Sequence, residues 1–268
     1  MRALAEDLGE GDVTAQLISA EHHSEATLVC REAGILAGSD WFNQAFLQLS
    51  PSIEINWHFR DAAPVKANDI LCTLRGNTRA MLSAERTALN FLQTLSGTAT
   101  VTRHYVDLIS STGCKILDTR KTIPGLRLAQ KYAVSCGGGC NHRIGLYDAI
   151  LIKENHIIAA GSLQQAVTVM REKFPALKIE TEVESLTELR QALDIGVDRV
   201  LLDNFDLNML AQAVKINLAL SHKIELEASG GVTEKTLLPI AQTGVDYISV
   251  GAITKNLSAL DLSLRISL

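Results

Sequence analysis

The stretch KIETEVESLTELRQALDIGVDRVLLDN (178–204) reads as one strand–helix–strand unit. Aliphatic and β-branched residues dominate its two ends, which predicts strands over 178–185 and 198–204. Between them, the leucines of residues 186–196 are spaced for one face of a helix that ends at Gly196. Two strands joined by a helix in this way pair in parallel through a right-handed crossover, so the stretch predicts a βαβ unit.

The same rhythm continues on both sides of this unit. Further strands are predicted at CKILDT (114–119), DAILIKEN (148–155), IELEAS (224–229) and YISVGA (247–252), and a further amphipathic helix at QQAVTVMREKF (164–174). Repeated βα units predict an α/β fold with a parallel sheet, arranged either as a barrel or as an open doubly wound sheet. About six or seven units fit, fewer than the eight of a complete barrel. No Gly-x-Gly-x-x-Gly follows the first strand, which argues against dinucleotide binding.

The N-terminal part of the chain has a different pattern. Alternating or β-branched residues predict strands within 25–38, 53–60 and 69–76, and helical spacing predicts helices at WFNQAFLQL (41–49) and SAERTALNFLQTLSG (83–97). In the second helix, Ser83 is the expected N-cap and Gly97 the expected end. We therefore expect an N-terminal α+β sandwich domain over residues 1–97. An incomplete α/β barrel would follow over 98–268, with roughly the last 12 residues packing back on the first domain.

Composition limits the class of protein. The chain has 268 residues, of which 47% are hydrophobic, and this content excludes a disordered protein. The 25 Lys and Arg residues against 30 Asp and Glu residues give a net charge of −5, which argues against a general nucleic-acid binder.

No run approaches the ~20 apolar residues of a membrane span, and residues 1–14 do not resemble a secretory signal. Five scattered cysteines predict reduced thiols in a cytoplasmic protein. Cys136, Cys140 and His142 have no CxxC pair elsewhere to complete a zinc site.

Every predicted strand of the second part ends in polar residues or glycine. From first to last, the strand ends carry Asp118, Arg120 and Lys121; Lys153 and Glu154; Glu182 and Glu184; Asp203 and Asn204; Ser229, Gly230 and Gly231; and Gly251. Single polar residues at strand ends are ordinary turn chemistry, but a complete set is not. Because the carboxyl ends of parallel strands share one edge, where ligands bind in such folds, the set predicts a site there.

Positive charge is concentrated between Thr119 and Lys153. This segment has one acid, Asp148, and six fixed cations: Arg120, Lys121, Arg127, Lys131, Arg143 and Lys153. His142 is a possible seventh. A solvated basic face is the alternative, but three consecutive glycines at 137–139 do not suit a regular helix surface. The segment therefore predicts a pocket for a small, strongly anionic ligand.

Two glycine sites favour phosphate binding. Ser229, Gly230 and Gly231 lead into a helix that Thr233 can cap, and Gly251 and Ala252 lead towards Lys255. Taken singly, such glycines indicate a tight turn. On successive βα units near the last strands, they predict the phosphate site of a barrel.

Two acids end neighbouring strands that face the positive segment. Glu182 and Asp203 could be salt-bridge partners of the cations, or could hold Mg²⁺ through water beside bound phosphates. The sequence leaves both roles open.

Six segments together resemble the quinolinate phosphoribosyltransferase family, also called carboxylating nicotinate-nucleotide pyrophosphorylases. They are EDLGEGDVT (6–14), ERTALNFLQTLSGTAT (85–100), DTRKTIPGLRLAQKYAVSCGGGCNHRIGLYDAILIKENHI (118–157), LLDNF (201–205), EASGGV (227–232) and ISVGAITKN (248–256). The resemblance implies that quinolinate and phosphoribosyl pyrophosphate react, with Mg²⁺, to nicotinate mononucleotide, pyrophosphate and CO₂. It also implies a homodimer in which each active site is completed by the partner's N-terminal domain.

The resemblance further implies roles for individual residues. Arg86 would be donated across the dimer interface. The substrate pockets would be lined by Thr119, Arg120, Lys121, His142, Arg143 and Lys153. Catalysis would involve Lys121, Lys153, Glu182 and Asp203, the two acids also lying by the metal. The ribose 5′-phosphate would be bound by Ser229, Gly230, Gly231 and Gly251, to which the residue pattern alone adds Ala252 and Lys255.

Three other functions fit parts of the sequence. A phosphoribosyltransferase with the same scaffold could act on nicotinate or another acid. A Schiff-base aldolase could use Lys153 as the strand-end amine. A non-enzymatic sensor of a phosphate ligand would need the glycine sites but neither Glu182 nor Arg86.

Overall fold

The structure is a computed structural model that describes residues 1–267. The strands are β1 (His23–Cys30), β2 (Gly34–Ile35), β3 (Glu54–Trp57), β4 (Pro64–Val65), β5 (Ile70–Asn77), β6 (Lys115–Leu117), β7 (Ile150–Ile152), β8 (Ile179–Val183), β9 (Arg199–Asp203), β10 (Glu225–Ser229), β11 (Tyr247–Ser249) and β12 (Leu262–Ser267). The helices are α1 (Arg2–Leu8), α2 (Ser39–Leu47), α3 (Thr78–Leu108), α4 (Arg127–Cys136), α5 (Glu154–Ala160), α6 (Leu163–Lys173), α7 (Leu186–Ile195), α8 (Leu207–Leu218), α9 (Glu234–Gln242) and α10 (Ala252–Lys255), with a short 3-10 turn at Thr14–Leu17.

The contacts divide the chain into two compact units. The first contains residues 1–103, residues 132–138 and the C-terminal residues from Asn256 onward. The second contains residues 104–131 and 139–255. No helix within residues 1–267 combines the length and the apolar character needed to cross a membrane.

The first unit is built on an antiparallel sheet in the order β12–β1–β5–β3. Leu28 of β1 lies between Leu264 of β12 and Cys72 of β5 in the strand register. Phe42 of α2 is fully buried against this sheet, with its ring 4.9 Å from that of Phe46. Burial of these apolar side chains on one face of the sheet stabilises the unit.

The helix predicted over 83–97 extends further at both ends in the structure, as α3 (Thr78–Leu108). Ser83 does not cap it, because the helix already begins at Thr78 and the Ser83 hydroxyl donates instead to the Asp12 carboxylate at 2.8 Å. Gly97 does not end it either. A side-chain carbon at Gly97 would lie 2.0 Å from the carbonyl oxygen of Ser258, so glycine is required there for a close approach of the backbone rather than for a helix end.

The second unit is built on one parallel sheet of six strands in the order β6–β11–β10–β9–β8–β7. This confirms the predicted fold class, with the lower of the two predicted strand numbers. Beyond β6, Cys140 adds a single parallel bridge to Leu117. Two predicted helix ends are confirmed, since Gly196 ends α7 in the left-handed conformation and Thr233 caps α9 with its hydroxyl oxygen; the Ser185 hydroxyl caps α7.

One face of this sheet is polar. Alternate residues of a strand point to the same face, and on β8, β9 and β10 the register aligns the following set: Glu180, Glu182, Arg199, Asp203, Glu225, Glu227 and Ser229. The residues between them, such as Val200 and Leu226, are buried and apolar. The polar face leads to the carboxyl-terminal edge of the sheet, where the predicted site lies.

Candidate active site

Four of the predicted site residues interact at the carboxyl-terminal edge of the six-stranded sheet. Lys153 Nζ, just after β7, forms an ion pair with Glu182 Oε2 on β8. Burial and the negative charge of Glu182 raise the pKa of Asp203 above its ordinary value, while the charges of Lys153 and Lys121 oppose this shift. The edge therefore combines two acids and two lysines within electrostatic reach of one another.

Two further cations interact with each other: Arg120, which precedes Lys121 in the chain, and Arg143, which follows His142. Burial and the positive charge of Arg120 lower the pKa of Arg143. The buried Nε of Arg120 has no hydrogen-bond partner within residues 1–267. Guanidinium groups bind carboxylates in a bidentate fashion, so this pair with an unused donor is suited to an anion with two carboxylates.

One of the six cations predicted for the pocket, Lys131, is instead buried and paired in the structure. Its side chain is 2% exposed and forms an ion pair with Asp118, which is 0% exposed. Lys131 Nζ also donates to the backbone oxygen of His142 at 2.9 Å, and the His142 amide donates to Asp118 Oδ1 at 2.9 Å. Lys131 is therefore a buried structural cation that fixes the segment around His142, and its charge is compensated by Asp118.

Both ring nitrogens of His142 face protein groups. Nε2 lies 3.0 Å from Glu180 Oε2 and 3.5 Å from Glu227 Oε2, while Nδ1 accepts the amide of Arg143 at 2.7 Å. Burial lowers the pKa of His142, but the hydrogen bond to Glu180 and the charges of both carboxylates outweigh burial and raise it. Both ring nitrogens thus have protein partners, and the place of His142 in the substrate pocket stays a prediction.

Sequence reasoning missed Glu180 and Glu227. Both are buried on the polar face of the sheet, two residues before Glu182 and Ser229 respectively. The signal was available, because residues two apart on a strand share a face and each of these acids precedes a predicted site residue by two.

The glycines at the ends of β10 and β11 allow close approach of the backbone. Gly230 has φ of +97°, and a side-chain carbon there would lie 2.1 Å from Asn204 Oδ1. A side-chain carbon at Gly251 would lie 3.1 Å from Lys121 Cδ, so Lys121 packs directly over this glycine. The Thr254 hydroxyl donates to the Lys121 carbonyl oxygen at 2.7 Å. Lys121 thus joins the acids and the glycine sites into one region.

The other predicted residues have the following places. Thr119 Oγ1 accepts the Lys121 amide at 3.0 Å, at the edge of the same site. Ser229 is the last residue of β10, and Ala252 and Lys255 are the first and last residues of α10. Arg86 belongs to the first unit, on the exposed side of α3.

Comparison with known proteins assigns both parts of the chain. Residues 12–96 match the N-terminal domain of quinolinate phosphoribosyl transferase, and residues 98–265 match its C-terminal domain. The chain belongs to the quinolinate phosphoribosyltransferase family. It is 42% identical, over 98% of its own length and 90% of the relative's, to a probable carboxylating nicotinate-nucleotide pyrophosphorylase of Synechocystis. A solved nicotinate-nucleotide pyrophosphorylase from Francisella tularensis is 51% identical, with a TM-score of 0.95 over 99% of this chain and 94% of that one.

Membership of the quinolinate phosphoribosyltransferase family decides against the aldolase. That chemistry needs a free amine, commonly made available by an apolar pocket or neighbouring cations. Lys153 is instead held in an ion pair by Glu182.

Proposed function

We infer that this protein transfers the phosphoribosyl group of phosphoribosyl pyrophosphate to quinolinate and releases pyrophosphate and CO₂, forming nicotinate mononucleotide for NAD biosynthesis. Family membership supports this reaction. The observation that carries it is the placing of Arg120 and Arg143 beside the two lysines, the two acids and the glycine ends of one sheet edge. The arginine pair matches a dicarboxylate, the lysines match a pyrophosphate, and the glycine ends match a ribose phosphate.

Binding of quinolinate is proposed to depend on the arginine pair. Each guanidinium can hold one carboxylate, with Lys153 adding compact charge nearby. Thr119 fixes the backbone of Lys121 through the hydrogen bond to its amide. His142, by accepting the Arg143 amide, orients the loop that carries this arginine.

The transfer step follows from the charges at the edge. As the pyridine nitrogen attacks the anomeric carbon, positive charge develops on the ribose and negative charge on the departing pyrophosphate. Glu182 is placed to stabilise the first, and Lys121 the second. Ser229, Gly230, Gly231, Gly251, Ala252 and Lys255 are proposed to bind the ribose 5′-phosphate.

Glu182 and Asp203 are suited to Mg²⁺. Their mutual repulsion contributes to the raised pKa of Asp203, and a divalent cation would relieve it. Hard carboxylates that bind through water are the ligands Mg²⁺ prefers beside phosphates. When bound, Mg²⁺ would neutralise charge on the departing pyrophosphate.

Decarboxylation uses the substrate's own charge. After transfer, the ring nitrogen is cationic. The C–C bond to the adjacent carboxylate breaks, CO₂ departs, and the electron pair left on the ring carbon is stabilised by that nitrogen until a proton replaces the carboxylate. The lysines and arginines at this edge can stabilise the same electron pair.

The decisive experiment compares quinolinate with nicotinate, each with phosphoribosyl pyrophosphate and Mg²⁺. We expect nicotinate mononucleotide, pyrophosphate and CO₂ from quinolinate. Turnover of nicotinate but not of quinolinate would contradict the proposal and indicate a phosphoribosyltransferase with the same scaffold that acts on nicotinate. Binding of phosphoribosyl pyrophosphate without turnover of either acid would favour the phosphate sensor.

We propose that the protein acts as a cytoplasmic homodimer with Arg86 donated to the partner's site. Leu146 and Tyr147, which are 73% and 72% exposed beside β7, are apolar surface that a second copy could cover. Subunits carrying Arg86→Ala, mixed with subunits carrying Lys153→Ala, should regain activity in heterodimers. No recovery after demonstrated subunit exchange would refute the shared site.

A further inference from the structure

A second layer of charged residues lies beneath the site, on the polar face of the sheet. Glu227 and Glu180 are 0% and 5% exposed. Both approach His142 Nε2, at 3.5 and 3.0 Å, and Arg199 Nη1 lies 3.5 Å from Glu227 Oε2. This layer comprises four ionisable groups that the reaction described above does not use directly.

The charges of this layer do not balance without an extra proton. Two carboxylates face one guanidinium, Arg199. Arg199 also donates to a third carboxylate, Glu225, at 2.8 and 3.1 Å, and Lys178 lies 3.8 Å from that carboxylate, so the layer has one carboxylate more than it has cations. An uncompensated charge in a dry interior is strongly unfavourable. One proton must therefore reside on Glu227 or on His142.

The hydrogen bonds place this proton. His142 Nδ1 accepts the Arg143 amide, so a proton on Nδ1 would remove that acceptor. Although the two carboxylates raise the pKa of His142, this hydrogen bond leaves a single ring proton, on Nε2 and directed to Glu180. Neither oxygen of Glu227 has a hydrogen-bond partner in the part of the chain that the structure describes. A carboxyl group without hydrogen bonds favours its neutral form.

We propose that Glu227 is a positioning residue, held as a neutral carboxylic acid so that the layer under the quinolinate pocket carries no net charge. This rests on the proposed function in so far as the bound anion is quinolinate. Burial and the negative charge of Glu180 raise the pKa of Glu227 to about 8, which agrees with the charge count.

The proposal predicts a pH effect with a definite sign. The acid form is present below the raised pKa and is lost as the pH rises through about 8. Its loss adds one negative charge directly beneath the loop of His142 and Arg143, which repels a dianion. The groups facing Glu227 and His142 are Asp118 just after β6, Lys131 on α4, Cys140 and Arg143 beside His142, Glu180 on β8, Arg199 on β9, Glu225 on β10, and Tyr247 and Ser249 on β11.

Infrared spectroscopy of the whole protein tests the protonation state without any substrate. We expect the C=O stretch of a buried carboxylic acid at pH 7, its loss as the pH rises through about 8, and its absence in Glu227→Gln. Glu225→Gln is the matched control, because it removes a partner of Arg199 but does not contact His142. Wild-type protein without this band at pH 7 would overturn the proposal, whatever its activity. The wild-type titration stands even if a variant does not fold.

Steady-state kinetics then tests the positioning role. With a pKa of about 8, the KM for quinolinate should rise about tenfold between pH 7 and pH 9, with a smaller change in kcat. In Glu227→Gln the ratio of the two KM values should fall to about one, and in Glu225→Gln it should remain about tenfold. An unchanged ratio in Glu227→Gln refutes the positioning role. If quinolinate is not turned over at all, the proposed function fails, while the infrared result still decides the protonation state.

Discussion

Removing the charge of Lys131 should destabilise the protein strongly although this residue is predicted to touch no substrate. In Lys131→Met the apolar stem is retained, but Asp118 keeps a carboxylate that is 0% exposed and has lost its cation. Removing one partner of a buried ion pair typically costs about 3–5 kcal/mol. At about 2.1 cal/mol/K of unfolding entropy per residue, this corresponds to a fall in Tm of roughly 5–9 °C.

The loss should depend on pH. Burial raises the pKa of Asp118, while Lys131 opposes the shift. Without Lys131 the raised pKa moves further upward, so the stability of the variant improves as the pH falls and Asp118 takes up a proton. Urea denaturation of the wild type and Lys131→Met at pH 7 and pH 5 measures this difference.

The double variant Asp118→Asn/Lys131→Met provides the control. It removes the buried carboxylate charge that Lys131 compensates in the wild type, so it should be more stable at neutral pH than Lys131→Met alone. A loss below about 1 kcal/mol in Lys131→Met at pH 7 would refute this reasoning, because it would place the pair within reach of solvent. A loss of similar size at both pH values would refute the role of Asp118.

Three further substitutions test the site. Gly230→Ala should raise the KM for phosphoribosyl pyrophosphate at least tenfold in initial-rate assays, because its side chain meets Asn204; Gly196→Ala, strained but in open space, should only lower the Tm. Glu182→Gln should lower kcat by about 100-fold or more in single-turnover assays, whereas Glu184→Gln should not. Arg143→Lys should raise the KM for quinolinate about tenfold in rate measurements, since a lysine cannot form two parallel hydrogen bonds; an unchanged KM would exclude Arg143 from the pocket.

The sequence was sufficient for the parallel strands and for the edge at which they end. The apolar runs are short, regular and separated by helices, so hydrophobic periodicity locates β8, β9 and β10 directly. The predicted helix 83–97 is shorter than α3 because Ser83 and Gly97 have the residue types that commonly begin and end helices. Their actual partners, Asp12 and Ser258, are distant in the sequence, and no local pattern indicates them.

The buried charges were the other part that the sequence could not provide. Lys131 and Glu227 belong to residue types that are almost never fully buried unless paired, so a single sequence predicts them to be exposed. Their pairing depends on the register of strands and on the path of the segment around His142. Both are products of the complete fold.

These buried charges explain how a dense group of cations can be built at the carboxyl-terminal edge of the six-stranded sheet. Asp118 pairs with Lys131, Lys131 donates to the backbone oxygen of His142, and Glu180 contacts the ring of His142, so two of these three interactions end on His142. These interactions also help to fix Arg143, the next residue, because its amide donates to His142 Nδ1. In the proposed complex, Arg143 would therefore bind the anion with a guanidinium held in place from the layer beneath it, where Glu180 acts on it electrostatically. An acid moved upward into the pocket would compete with quinolinate for the same guanidinium. Acids in the layer beneath the pocket fix the position of Arg143 and do not compete with quinolinate for its guanidinium group.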